Sequence, residues 1–213
     1  MALFGRNYND VQVGGEFKSL PGGGYICRIL SAKMGTNSNG LPMIEVAIDI
    51  SDGEYAQYFH NLYRSRISND PNAKYPYNGV LRITAVDEEG NTKKNFKSFV
   101  TSVEKSNDCE LPRHDEAFLK ALKDKTVGVL YQREEYMGND GKTHWSTKPK
   151  WFRDVATIES GNFTVPEDVP LPDTYGTGFS EADASAINDM FGSNVSYEGG
   201  ADSFNAAEDS LPF

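Results

Sequence analysis

All 21 lysines and arginines lie in residues 1–160, and residues 161–213 contain neither. The second part carries 10 of the 31 acids, so the whole formal charge of −10 sits there. Residues 1–160 keep 21 acids against 21 cations and are neutral. A chain divided in this way reads as a folded head, 1–160, followed by an acidic tail, 161–213. The tail is also rich in chain breakers. Pro166, Pro170 and Pro172 are followed by Gly176, Gly178, Gly192, Gly199 and Gly200, with Ser and Asn between them. Repelling charge without sustained periodicity predicts disorder over 161–213. One short helix is compatible with the pattern: Ser180 and Asp183 resemble a capping pair, and Ala184, Ile187, Met190 and Phe191 share a face.

The head is long enough to bury a core without disulfides. Its two cysteines, Cys27 and Cys109, are too far apart for a CxxC pair and too few for a four-ligand zinc site. A reducing, cytoplasmic setting is expected. The opening MALFGRNYND lacks the apolar stretch of a secretory leader, and no run of eighteen apolar residues predicts a membrane span.

Periodicity predicts a mainly β head. Tyr25 to Lys33 is a strand, and Asn39-Gly40 marks a turn. Ile44, Val46, Ile48 and Ile50 alternate with Glu45, Ala47 and Asp49 as a half-buried strand. After Asp52-Gly53, the aromatic stretch Tyr55 to Tyr63 reads as a third strand. Val80 to Val86 is a further strand candidate. Phe96, Phe99, Val100 and Val103 then recur at helical spacing, and Phe118, Leu119 and Leu122 repeat the pattern. Val127 to Met137 pairs across Gly138-Asn139-Asp140-Gly141 with a last arm, from His144 to Thr147 and on through Trp151 to Ile158. Three strands, a helical interval and two strands are the order of a five-stranded OB-fold barrel with a helical insertion between strands 3 and 4. The run Gly22-Gly23-Gly24 precedes a strand rather than a helix, so it reads as a flexible entry loop and not a phosphate cradle.

Single-stranded nucleic acid requires cations for its backbone and flat side chains for its bases. The head interleaves the two. Tyr58, Phe59, Tyr63, Arg64 and Arg66 form one cluster, and Lys74, Tyr75 and Tyr77 follow it. The last arm offers Trp145, Lys148, Lys150, Trp151 and Arg153, a local positive patch in a neutral head. Strand aromatics such as Phe59, Tyr63 and Tyr131 are more often core residues. Arg28 and Lys33 fall on opposite faces of their strand unless a bulge intervenes. Catalysis finds no motif. His60, His114 and His144 lack metal spacing, and adjacent Glu134-Glu135 point to opposite faces of a strand. Cys109 lies between Asp108 and Glu110, a poor setting for a nucleophile. No catalytic residue, metal or cofactor is expected.

The last residues read Glu208-Asp209-Ser210-Leu211-Pro212-Phe213. This ending resembles the acidic tip of bacterial single-stranded DNA-binding proteins: acids, an aliphatic residue, Pro and Phe. Ser210 departs from the usual third acid. The resemblance implies that Glu208 and Asp209 steer toward a basic patch, while Leu211, Pro212 and Phe213 fill an apolar pocket on a partner. The segments Leu20-Pro21-Gly22-Gly23-Gly24-Tyr25, Asn39-Gly40-Leu41-Pro42-Met43 and Asn61-Leu62-Tyr63 loosely resemble bacteriophage-encoded single-stranded DNA-binding proteins over residues 16–158. That likeness implies an OB-fold that coats DNA during phage replication, recombination and repair in the host cytoplasm. The partners it implies are single-stranded DNA and replication, recombination or repair proteins reached through the tip. A homodimer stays open, and no membrane is involved. The rival expectations are a protein-binding adaptor that mimics the host tail, and a metal-dependent nuclease accessory.

Overall fold

A computed structural model describes residues 18–172. Five strands, β1 (Gly23–Thr36), β2 (Pro42–Ile50), β3 (Val80–Thr84), β4 (Thr126–Met137) and β5 (Thr143–Arg153), form one antiparallel sheet in the order β3-β2-β1-β4-β5. The sheet is open, since no ladder joins β3 to β5 among the described residues. Helix α1 (Tyr58–Asn69) follows β2. Helices α2 (Lys94–Ser106) and α3 (Asp115–Leu122) lie between β3 and β4, and the short α4 (Val155–Glu159) follows β5.

The alternation of β2 sets the core. Ile50, Ile48, Val46 and Ile44 stand opposite Cys27, Ile29, Ala32 and Met34 of β1. All four β2 residues are buried, with Val127, Val129 and Tyr131 of β4 beside them in one cluster. The polar face of β2 is also covered, because its acids have partners. Glu45 is held by Lys33 at 3.2 Å and Arg82 at 3.4 Å. Asp49 accepts from the backbone N–H groups of Ile50, Phe59 and His60. A buried charge needs such partners to be tolerated.

Asp49 explains the largest departure from the sequence reading. The aromatic stretch expected as a third strand, Tyr55 to Tyr63, instead forms a turn through Gln57 and then, from Tyr58, the start of α1. Its N-terminal N–H groups find their acceptor in the Asp49 carboxylate, which stands in for a local cap. The aromatic positions then suit helical spacing. Phe59 and Tyr63 are four residues apart, and Phe59 stacks on Tyr131 at 6.0 Å while Tyr63 meets Tyr75 at 5.5 Å. The third strand is therefore Val80–Thr84, paired with β2 from Val80↔Ala47 to Thr84↔Met43.

The period read over 93–105 does form a helix. Phe99, Val100 and Val103 of α2 are buried, and Phe99 meets Phe152 edge-on at 5.2 Å. Asn107 ties the end of α2 to β4, donating to Thr126 O and accepting from Thr126 N. In β1, a bulge between Ile29 and Ser31 brings Arg28, opposite Asp49, and Lys33, opposite Glu45, onto one face.

Two boundaries also differ from expectation. The last arm ends at Arg153 rather than Ile158, because Asp154 caps α4 by accepting from Thr157 N at 2.9 Å. Gly23 and Gly24 are strand residues opposite Tyr131 and Leu130, not an entry loop. A Cβ on Gly24 would lie 2.5 Å from the Phe163 ring, so glycine is what lets Phe163 and Ile158 settle on the sheet. Of residues 161–172, expected to open the tail, the stretch 167–171 lies along β4. Val169 donates to Arg133 O and accepts from Glu135 N, and Gln132 Nε2 donates to Glu167 O. Residues 173–213 lie outside the described residues.

Candidate nucleic-acid interface

β1 accompanies β4 only from Thr126 to Tyr131. Beyond that point β4 continues to Met137 with β5 on one side and Val169 on the other. The result is a two-stranded ribbon that extends past the core. Its turn is closed by Gly141, whose φ of 71° suits glycine. Directly opposed residues of an antiparallel pair share a face, so the register assigns the ribbon's side chains.

One face carries Arg133, Glu135, Trp145 and Thr147. The Arg133 guanidinium lies 4.6 Å from the Trp145 ring centroid, a cation–π contact. The same guanidinium pairs with Asp168 at 3.1 Å. The other face carries Gln132, Glu134, Tyr136, His144 and Lys148. Glu134 lies between Lys148 at 2.8 Å and Lys150 at 3.8 Å. The Tyr136 and His144 rings are 5.8 Å apart, and the His144 hydrogen bond holds the Asp140 carboxyl below its usual range.

Trp145 and Trp151 are six residues apart, which in a regular strand puts them on one side. A register shift, with Tyr131 opposite Pro149 and Leu130 opposite Trp151, places the extra residue Lys150 between them. Trp151 therefore shares the face of Lys148, and Trp145 the opposite one. Both indoles are about two-fifths exposed, at 41% and 43%. Arg153 is exposed and donates to Phe152 O.

The earlier cluster separates into core and surface. Phe59 and Tyr75 are 1% and 5% exposed and belong to the core, and Tyr75 OH donates to Ile48 O. Tyr58 and Tyr63 are half-buried, with Tyr58 OH accepting from Leu20 N. Arg64 and Arg66 are exposed on α1, and Lys74 is exposed after it. Tyr77, at 66% exposure, is the outward ring of the group. The Arg82 guanidinium covers it at 4.2 Å, a second cation–aromatic pair.

Asn78, next to Tyr77, donates to Ser146 Oγ at 3.1 Å; Ser146 follows Trp145 in β5 but faces the Glu134 side of the ribbon. The Tyr131 hydroxyl donates to Asn78 O from below. Arg82 and Arg133 were not among the residues singled out from the sequence. Arg133 needs the β4–β5 register to be placed beside Trp145, and Arg82 needs the β3 assignment. Glu208, Asp209, Leu211, Pro212 and Phe213 lie outside the described residues.

Among the described residues, no three His, Cys, Asp or Glu side chains gather into a metal-holding group. No helix among them is long and apolar enough to cross a membrane. The chain matches no protein-family model and no curated protein.

Proposed function

We propose that the chain is a sequence-tolerant single-stranded DNA-binding protein built on an OB-type barrel. The barrel reading draws support from the strand order, from β1 pairing on both its sides, and from the contact of Asn78, in the turn just before β3, with Ser146 of β5. The DNA reading rests on one observation. Two exposed rings, Tyr77 and Trp145, each lie against an arginine, and Asn78, next to Tyr77, bonds to β5, the strand that carries Trp145. A ring offers a base its flat face, at roughly 1–3 kcal/mol per stacked base, while the adjacent cation meets the phosphate. Neither contact selects a sequence. The head coats and protects the strand, and no chemical step or cofactor is involved.

The tail recruits enzymes of replication, recombination or repair through Glu208, Asp209, Leu211, Pro212 and Phe213. The loose resemblance of the head's sequence to phage-encoded proteins supports a host-cytoplasmic setting for this work. Titration with oligo-dT tests the DNA reading. Tryptophan fluorescence is quenched, and the affinity falls by roughly 0.7 log units per log unit of salt for each phosphate neutralised. Absence of quenching at low salt overturns it. Removing Pro212 and Phe213 leaves this affinity intact and abolishes partner capture; a pull-down that survives the deletion refutes the role of the tip.

One observation favours the adaptor reading. Arg133 is paired with Asp168, and Lys148 and Lys150 share Glu134, so much of the ribbon's positive charge is already neutralised. An adaptor shows no oligo-dT response at any salt concentration.

A further inference from the structure

Val129, Tyr131, Arg133 and Glu135 alternate along one face of β4, so their partners Phe152, Pro149, Thr147 and Trp145 share that face of β5. Phe152 lies at most about 23 Å from Trp145 along the strand, at roughly 3.3 Å per residue. Where Phe152 meets α2, a cleft of about 550 Å³ opens. Lys94 and Lys97 line it with Thr92, Ser98 and Thr101, and no carboxylate does. Lys93 and Lys94 are exposed and enter no ion pair among the described residues. Lys97 also borders the gap between α2 and α3, which Asp115 lines, and it acts on Glu104, whose carboxylate is already held by Arg113 at 2.7 Å and by Leu111 N. These cations sit where a helix disfavours them. The start of α2 has no acid in its first turn and no side-chain cap, so its N–H groups and the lysines present charge of one sign. An anion in the cleft relieves that repulsion.

We propose that this cleft binds phosphate groups of the same single strand whose bases stack at the ribbon. The inference rests on the DNA reading and extends the site beyond Trp145 with a contact that selects no base. Lysines meet phosphate oxygens as point charges, and the Thr92 and Thr101 hydroxyls add donors. Small phosphate compounds offer the same chemistry, but the layout favours a strand. Lys94, Ser98, Thr101 and Lys105 recur at helical spacing along α2, and Lys105, which also acts on Asp154, is exposed. From Lys94 to Lys105 this row runs about 16 Å at 1.5 Å per residue, a length for successive phosphates rather than for one. The edge of β5 between Trp145 and Phe152 has no neighbouring strand among the described residues, so a polynucleotide can follow it from the ribbon to the cleft.

Titrations across salt with oligo-dT of about 5 and of about 30 nucleotides, lengths chosen around the roughly 4–16 of one OB site, test this. With the longer oligonucleotide, Lys94→Gln/Lys97→Gln binds several-fold more weakly than the wild type, and its salt slope is shallower by roughly 0.7 log units per lysine removed. With the shorter one the two proteins match. Lys94→Arg/Lys97→Arg keeps the wild-type slope, and so does Lys120→Gln/Lys123→Gln, which removes the same charge at the end of α3. If the wild type binds the longer oligonucleotide and the Lys94→Gln/Lys97→Gln variant binds it equally well, the cleft is overturned and the DNA reading stands. If the wild type binds neither, both fall. An equal loss in the α3 variant reduces the effect to overall charge and also overturns the cleft. In amide NMR spectra of the wild type, the longer oligonucleotide shifts Lys97, Ser98 and Thr101, and tripolyphosphate at equal phosphate concentration does not. Equal shifts assign the cleft to small polyphosphates and overturn its role for a strand.

Discussion

Two stretches of this chain mix aromatic and basic residues in much the same proportions, and the fold uses them in opposite ways. In residues 58–66 a helix separates the two types. Phe59 turns inward onto Tyr131, while Arg64 and Arg66 face water. In the β4–β5 ribbon nothing separates them. The two strands are only partly covered, so Trp145 keeps Arg133 against its ring and Trp151 shares a face with Lys148. A helix packed on a core sorts its side chains by polarity, whereas a ribbon projecting past the core leaves rings and cations adjacent. Base stacking with phosphate contact needs adjacency.

Four experiments break or sharpen this contrast. Phe59→Ala should lower stability by about 3–5 kcal/mol, read by chemical denaturation, because it opens a cavity under Tyr131. The oligo-dT affinity of the remaining folded protein should not change; an affinity loss without destabilisation would move Phe59 to the binding surface. Trp145→Ala should do the reverse, weakening oligo-dT binding by about 1–3 kcal/mol with little change in stability. Equal binding by this variant removes the ribbon from the interface.

The third experiment concerns Asp49, whose carboxyl burial pushes up to about 6 despite three N–H donors. The ordinary value is 3.8, so the folded state holds the proton more tightly than the unfolded one. Its contribution to stability is complete below about pH 4 and is lost as the pH rises through 6. Denaturation midpoints across pH 4–7 should show this decline, and Asp49→Asn should flatten it. A decline that survives the substitution belongs to another group.

The smallest effect is expected from Asp168→Asn. Releasing Arg133 from its acid should tighten oligo-dT binding a few-fold at low salt and steepen the salt dependence by up to about 0.7 log units. The lost surface ion pair costs at most about 1 kcal/mol of stability. Unchanged affinity with a normal fold shows that Arg133 makes no phosphate contact.

The legible parts of the fold were those with a strong local period. The alternation of Ile44, Val46, Ile48 and Ile50 and the helical recurrence of Phe96, Phe99, Val100 and Val103 depend only on neighbours in the sequence. The missed elements depend on distant ones. α1 is capped by Asp49, which belongs to the preceding strand, so no local cap announces it. The faces of Trp145 and Trp151 depend on one extra residue, Lys150, and a bulge of that kind leaves no periodic trace. Arg133 and Arg82 gain meaning only once register sets them against Trp145 and Tyr77. Composition marked the last arm as basic, but the acids that offset it, Glu134 and Asp168, come from other segments.

Val169 has a consequence for the protein's behaviour in a crowded solution. β4 outruns β1, and the peptide groups of Arg133 and Glu135 on that side would form a bare hydrogen-bonding margin. Such a margin is a template for foreign strands and for runaway self-assembly. By bonding to Arg133 O and Glu135 N, the backbone of Val169 occupies the template with the molecule's own chain. Variants that dislodge it should therefore be recognised first by precipitation during storage.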